Sequence, residues 1–403
     1  MEASRRQFLF KAGKIAAVVL GGAYALRTCD AIPDSAAEAW QGPEEALEED
    51  IRLWVLSYAI LAPSASNMQP WKVDLRLADD LIRLFIDEGQ LLPAADPFAR
   101  QTLVGLGSFI ESLVIAASEQ GYRAEVTYFP EGSLVTDHPG RVPVADIRLV
   151  ADDTVHPDPL FEYLLTRRTN QQLYLPTPLS DAHRKTLNCA MTANGVAMDW
   201  ISKQQDVDAV RMAAAKAVGV EMTTPATMQE SIATTRIGAG SIDDNRDGKA
   251  LNGIAVWWLQ KTGRLSESNA STPGSWGYNT IFLSATSHLA ATPGFVLFES
   301  SGGSREGHLA TGRAYLRFNL LATSLGVAVH PVNHVLAEYE AVRETREAMY
   351  HALNKSDFRS VNMVVRVGYA LEDVPAPTAR RPLEAIVLKD DQVNGEVAEE
   401  KES

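Results

Sequence analysis

Two stretches of this chain share one layout. Residues 107–122, GSFIESLVIAASEQGY, and residues 312–327, GRAYLRFNLLATSLGV, each carry a glycine, apolar residues at helical spacing, an alanine and a closing glycine. Gly107 aligns with Gly312, Ala117 with Ala322 and Gly121 with Gly326, at a constant spacing of 205 residues (312 − 107). The closing glycines suit the left-handed residue that ends a helix, and a strand-like segment follows each. A second match lays residues 49–64 on 180–195, with Asp50 on Asp181, Leu56 on Leu187 and Ala59 on Ala190. Amphipathic helices resemble one another by necessity, so this match gains weight only from its order. Both halves read helix, loop, strand, Gly-bounded helix, strand and a last strand, VADIRLV at 144–150 or VNMVVRVGYA at 361–370. The expected fold is α+β: two similar halves, residues 32–150 and 151–390, each an antiparallel sheet with packed helices, forming a pseudo-dimer in one chain.

Residues 219–290 have no counterpart in the first half. They mix loop signals with aromatic residues, in GAGSIDDNRDG, WWLQKTG and NASTPGSWGYN. Two readings stand: a surface excursion whose Trp257, Trp258 and Trp276 pack into the body, or a lid over a ligand site.

The ends of the chain read as targeting and solvation. SRRQFLFKAG sets Arg5 and Arg6 before Phe8, Leu9 and Lys11, and the apolar run IAAVVLGGAYAL at 15–26 is short for a membrane span. Residues 1–31 are therefore expected to be a twin-arginine export signal, the alternative being a plain basic N-terminus. Cleavage after Ala25 or Ala31 would leave a periplasmic protein, and no cleavage a membrane-tethered one. Arg27 and Thr28 are poor residues to precede a lipidated Cys29. Because this route carries folded proteins, the export machinery is an expected partner and a bound cofactor is expected too. If Cys29 leaves with the signal, Cys189 is the remaining cysteine, so stability must come from packing rather than an internal disulfide. With 403 residues and 46% hydrophobic content, there is enough chain for about two cores. A net charge of −14 argues against nucleic acid as a partner, and residues 391–403 read as an acidic solvated tail.

Three motifs carry the chemistry. APSASNMQPW at 62–71 places Pro63, Ser64, Ala65 and Asn67 in a loop whose two prolines stop the preceding helix, leaving short side chains and free N–H groups. RRTNQQLYLPTPLS at 167–180 offers Arg167, Arg168 and Thr169, two planar cations and a hydroxyl that suit a phosphate. Taken alone, it better suits a basic helix end stabilised by the macrodipole. PTARRPLEAIV at 377–387 adds Arg380 and Arg381, candidates for the same anion.

Together, APSxxNxQPW, the Arg-Arg-Thr motif, the Gly-bounded helix and the late Arg-Arg-Pro-Leu-Glu resemble the nitroreductase family of flavin mononucleotide (FMN) proteins, in the order of its fused-dimer Acg-like branch. The resemblance spans nearly all of the chain after the signal. It implies one flavin site shared between halves. Arg167, Arg168, Thr169, Arg380 and Arg381 would meet the phosphate end, and Pro63, Ser64, Ala65 and Asn67 would lie along the ring and ribityl chain. Two departures follow. Gln171 stands where many relatives have a basic residue near the flavin N1 and O2, and it cannot supply that charge. HPVNHV at 330–335 gives Asn333 and His334 where relatives have an acidic residue and glycine beside N5. A metal on His330 and His334 is less attractive, since Pro331 breaks a regular helix and no third ligand is evident.

The resemblance implies an FMN-dependent oxidoreductase that takes a hydride at flavin N5, with NAD(P)H a candidate donor, and passes it to a small-molecule acceptor such as a nitro compound or quinone. No catalytic side chain is required. The other reading is an exported protein that binds or sequesters flavin with little turnover, which Gln171, export and the long insertion favour.

Overall fold

The computed structural model describes residues 31–43, 49–132, 138–189, 195–357 and 360–389. The twin-arginine segment up to residue 30, Cys29, Ala190 and the acidic tail 391–403 lie outside these residues.

In the first half, helix α1 (Ile51–Ala59) is followed by strands β1 (Trp71–Asp74) and β2 (Leu81–Ile86). Helix α2 (Arg100–Glu119), β3 (Tyr122–Tyr128) and β4 (Ala145–Ala151) complete it. Asp50 caps α1 by accepting the Arg52 N–H at 2.9 Å, and its carboxylate also holds the Arg52 guanidinium. The second half opens with α3 (Asp181–Cys189) and β5 (Val196–Ile201). A long excursion then carries α4 (Gln204–Thr223), α5 (Pro225–Ala233), β6 (Thr235–Ile237), α6 (Ala239–Asn245), β7 (Lys249–Leu251), α7 (Ile254–Lys261) and α8 (Trp276–Thr286). The half closes with β8 (Gly294–Ser300), α9 (Arg305–Ser324), β9 (Ala328–Pro331), α10 (Arg343–Ala352) and β10 (Val361–Gly368).

Each half has an antiparallel four-stranded sheet, and the two sheets have one topology. The first is ordered β1-β2-β4-β3 and the second β5-β8-β10-β9, so first, second, fourth and third strands line up in both. Each half thus has one strand more than the sequence reading, because β2 and β8 follow breaks that a pattern search runs together. The excursion joins the first two strands of the second sheet, where the first sheet has only the turn before Leu81. It therefore begins soon after Ile201, earlier than residue 219.

The halves meet along α2 and α9. A Cβ on Gly312 would lie 1.9 Å from the Val104 carbonyl oxygen, and one on Gly107 would lie 2.1 Å from that of Leu309. Backbone touches backbone here, and the Ser108 hydroxyl donates to the Gly312 carbonyl at 2.9 Å. Both helices end as the glycine pattern requires, with Gly121 and Gly326 at φ +72° and +65°. Beside the crossing, the buried Glu111 carboxylate is held by Arg313 at 2.5 Å and Arg317 at 2.9 Å, so this interior charge is paired across the halves.

The chain's last described stretch crosses back to the first half. Ile386 lies in the first-half core, and the Leu388 N–H donates to the Val73 carbonyl at 2.9 Å, at the free edge of β1. Leu160 and Leu164 join the same core. This return path places the two arginine motifs beside α1.

Candidate functional site

Three guanidinium groups converge on one indole ring. Arg168 lies over Trp40 at 4.1 Å from the ring centroid, Arg380 at 4.7 Å and Arg167 at 5.6 Å. Trp40 sits in a short turn, Glu38–Gln41, and its indole N–H donates to the Thr378 carbonyl at 2.8 Å. The Leu61 carbonyl, at the end of α1, accepts from both Arg167 and Arg380 at 3.1 Å. Arg380 also donates to the Asn67 side-chain oxygen at 2.7 Å, which ties the C-terminal arginine to the proline-bounded loop.

The cluster is under-satisfied. Arg167 and Arg380 are buried, and the Arg167 Nη1, Arg168 Nε and Arg380 Nε atoms are buried without a hydrogen-bond partner. Among the described residues no carboxylate pairs with any of the three. Burial lowers the Arg167 pKa to about 10. Burial and then the neighbouring Arg167 do the same for Arg168, and Arg380 is pushed well below its ordinary value by burial and by both other arginines. Buried polar groups are nearly always partnered, so three orphaned N–H donors around a triple positive charge fit a multivalent oxyanion. Thr169 contributes differently: it hydrogen-bonds the buried Tyr315 hydroxyl, which in turn accepts from Asn319 at 3.1 Å.

The loop 63–69 is held in an unusual shape. Ser66, Asn67 and Gln69 have φ of 49°, 57° and 55°, left-handed values on either side of the right-handed Met68 that non-glycine residues adopt at a cost of order 1–3 kcal/mol each. Surrounding bonds fix it: the Ser64 hydroxyl accepts the Gln69 N–H at 2.9 Å, and Pro63 and Ser64 lie against Gly105 of α2. Ala65 begins the short turn Ala65–Asn67.

The excursion closes over this loop. The Gly248 N–H donates to the Asn67 carbonyl at 3.1 Å, the Asn67 amide donates to the Gly248 carbonyl at 3.2 Å, and the Gln69 amide donates to the Arg246 carbonyl at 2.9 Å. Ile242 of α6 packs with Ala36 and Ala379, beside the arginines. Glu230 accepts the Ala94 and Ala95 N–H groups at 2.9 Å each. Trp257, Trp258 and Trp276 are 36%, 58% and 58% exposed, so they do not pack into the body as one sequence reading expected.

The remaining expected residues are elsewhere or otherwise engaged. Arg381 is a correction. Its side chain turns from the arginine cluster to Asp87 at 2.9 Å and to the Gln69 carbonyl, while its N–H donates to the Gln69 side chain. The two neighbouring arginines thus engage different partners, Arg380 the Trp40 cluster and Asn67, Arg381 Asp87 and Gln69. Gln171 is exposed. Asn333 accepts the Val364 N–H at 2.9 Å, a role in holding β10. His334 Nδ1 lies 2.6 Å from Glu221 of α4, and His330 Nδ1 lies 3.2 Å from Arg366. Among the described residues no cluster could hold a metal ion.

Glu221 links the excursion to the second half. Burial alone would raise its carboxyl pKa, but His334, Lys249 and Ser231 outweigh it and hold the value at about 2. Its stabilising contribution should be full above about 4.5, its ordinary value, and should be lost as pH falls toward about 2. The stability deficit of Glu221→Gln against the natural chain should therefore be largest near neutrality and should shrink below about pH 4, followed by circular dichroism. A deficit that stays constant down to pH 2 would refute the assignment.

No family model matches the chain. It is similar to a Mycobacterium tuberculosis protein named "Putative NAD(P)H nitroreductase acg", at 27% identity over 167 residues, 40% of this chain and 46% of that protein. The chain thus spans less than half the length of this relative. It is also similar to "Putative NAD(P)H nitroreductase Rv3131" of the same organism, at 24% identity over 344 residues, 83% of this chain and 90% of the other. Among solved structures, an FMN-bound nitroreductase from Bacteroides fragilis matches 58% of this chain and 100% of its own at 13% identity, with a TM-score of 0.33. An FMN- and NADPH-dependent nitroreductase, NfnB, covers 57% and 98% at 13% identity, with a TM-score of 0.37. Both curated relatives carry a nitroreductase name, and the fold of this chain is α+β, with two four-stranded antiparallel sheets of one topology. At these identities and TM-scores, no residue role is transferred.

Proposed function

We propose that the protein is an FMN-dependent oxidoreductase of the nitroreductase kind, exported by the twin-arginine route, that moves electrons from NAD(P)H to a nitro, quinone or similar small acceptor. The observation that carries this reading is the trio Arg167, Arg168 and Arg380: Arg167 and Arg380 are buried, no carboxylate among the described residues pairs with any of the three, and one N–H donor on each is buried and unpartnered. When bound, FMN would supply the hydride-accepting and hydride-donating chemistry at its N5. The arginines would neutralise the phosphate. Asn67, already bonded to Arg380, would set the loop at a fixed distance from it. The left-handed loop would present backbone groups to the ring edge, and the excursion over it would exclude water.

Arg246 and Gly248 bond directly to the loop, and this favours a second reading: a protein that encloses flavin and turns it over little. The exposed Gln171 cannot offer the positive charge that stabilises a reduced anionic ring. An anaerobic absorbance titration separates the two. Bleaching by NADPH or NADH and recovery with a nitroaromatic or quinone would support the reductase. Bleaching by dithionite alone would support enclosure, and failure to take up FMN at all would defeat both.

A further inference from the structure

We infer that Trp40 is the positioning residue of the phosphate receptor: its indole face gathers the three guanidinium groups and so sets preference for a phosphorylated flavin over an unphosphorylated one. The inference rests on the FMN reading above and adds a residue that neither of the two arginine motifs contains.

Three like charges in a dry pocket repel one another, and each lowers the ease with which the next is charged. No carboxylate among the described residues offsets them. What does face all three is the electron-rich ring of Trp40, at 4.1, 4.7 and 5.6 Å from the guanidinium carbons. A desolvated cation over indole gains about 2 kcal/mol or more, the strongest such contact among aromatic side chains. The ring itself is fixed, because its N–H is bonded to the Thr378 carbonyl, two residues from Arg380. One plane therefore holds cations from two separate motifs in register before any anion arrives, and preorganised donors bind more tightly than donors that must be gathered. The orphaned Arg167 Nη1, Arg168 Nε and Arg380 Nε atoms then remain free for phosphate oxygens.

Trp40 also belongs to the first-half core, so packing and positioning must be told apart. The readout is the ratio of FMN to riboflavin affinity, since the two ligands share a ring and differ in the phosphate. The natural chain should prefer FMN. Trp40→Leu should reduce that preference about tenfold or more, and Trp40→Phe should retain most of it, because phenyl keeps a weaker π face. Equal weakening of FMN and riboflavin in Trp40→Leu would reduce Trp40 to a packing residue and overturn the inference. Equal affinity for the two ligands in the natural chain would instead overturn the phosphate reading beneath it. Should the leucine variant not fold, inorganic phosphate added to the natural chain decides the matter. It should change an indole fluorescence signal that Trp40→Phe lacks, and no such change overturns the inference.

Discussion

Gly312→Ala should destabilise the protein by about 3 kcal/mol, the upper end of the overpacking range, although alanine is the better helix former. In an open helix the same change gains about 1 kcal/mol. At position 312 the new Cβ would sit 1.9 Å from the Val104 oxygen and 2.8 Å from the Ser108 nitrogen. These are backbone atoms, and no change of rotamer moves them, so α2 and α9 must separate. Gly107→Ala should act alike, since its Cβ would meet the Leu309 oxygen at 2.1 Å. Val104 and Leu309 are themselves 205 residues apart, so the contact is reciprocal, as at a two-fold interface between subunits. Gly219→Ala is the control: it lies within α4 with nothing within 4 Å of the added atom, and should be neutral or stabilising. Urea unfolding of the three variants checks this, and a Gly312→Ala midpoint at or above that of the natural chain would refute the close crossing.

That crossing shows what was legible in the sequence. A glycine where two helices touch leaves a local mark, and Gly107 and Gly312 carry it together with their C-terminal glycines. The proline-bounded loop and the Arg-Arg-Thr motif stand out in the sequence for a related reason, since each keeps its residues in adjacent letters. Trp40 was not. Its neighbours Glu38, Ala39 and Gln41 offer no anion chemistry, and its role arises only when Thr378 and Arg380 return to the first half. Arg381 misled because adjacency in sequence suggests a shared target, whereas its side chain goes to Asp87 in the first half, 294 residues away. The place of the excursion was equally hidden. The bonds from Arg246 and Gly248 to Gln69 and Asn67 span about 180 residues, and nothing in either segment names the other.

Arg380→Met should raise the stability of the ligand-free protein by about 1–3 kcal/mol while weakening FMN about 10- to 100-fold. The opposite signs follow from where the charge sits. Arg380 is 4% exposed and faces Arg167 and Arg168 with no carboxylate partner among the described residues, and an unpaired buried ion costs several kcal/mol. Methionine fills the aliphatic part of that space without the charge. The substitution also removes donors to Asn67, Thr378, Ala379 and Leu61. Three of these acceptors have other donors or are carbonyls and a hydroxyl, groups that tolerate a lost bond better than a buried N–H does. Relief of the charge should therefore win. The sign holds with pH. Burial and the two neighbouring arginines depress the folded pKa, so the penalty is present while Arg380 is charged. It fades as pH rises through that depressed value, and the advantage of methionine should shrink on the alkaline side. With FMN bound, the lost charge-assisted hydrogen bonds reverse the order, because ligand stabilisation follows affinity. Melting curves of both proteins, with and without FMN, should thus cross over. A lower ligand-free melting temperature for Arg380→Met together with unchanged FMN affinity would mean that the arginine serves the fold and that the anion binds elsewhere.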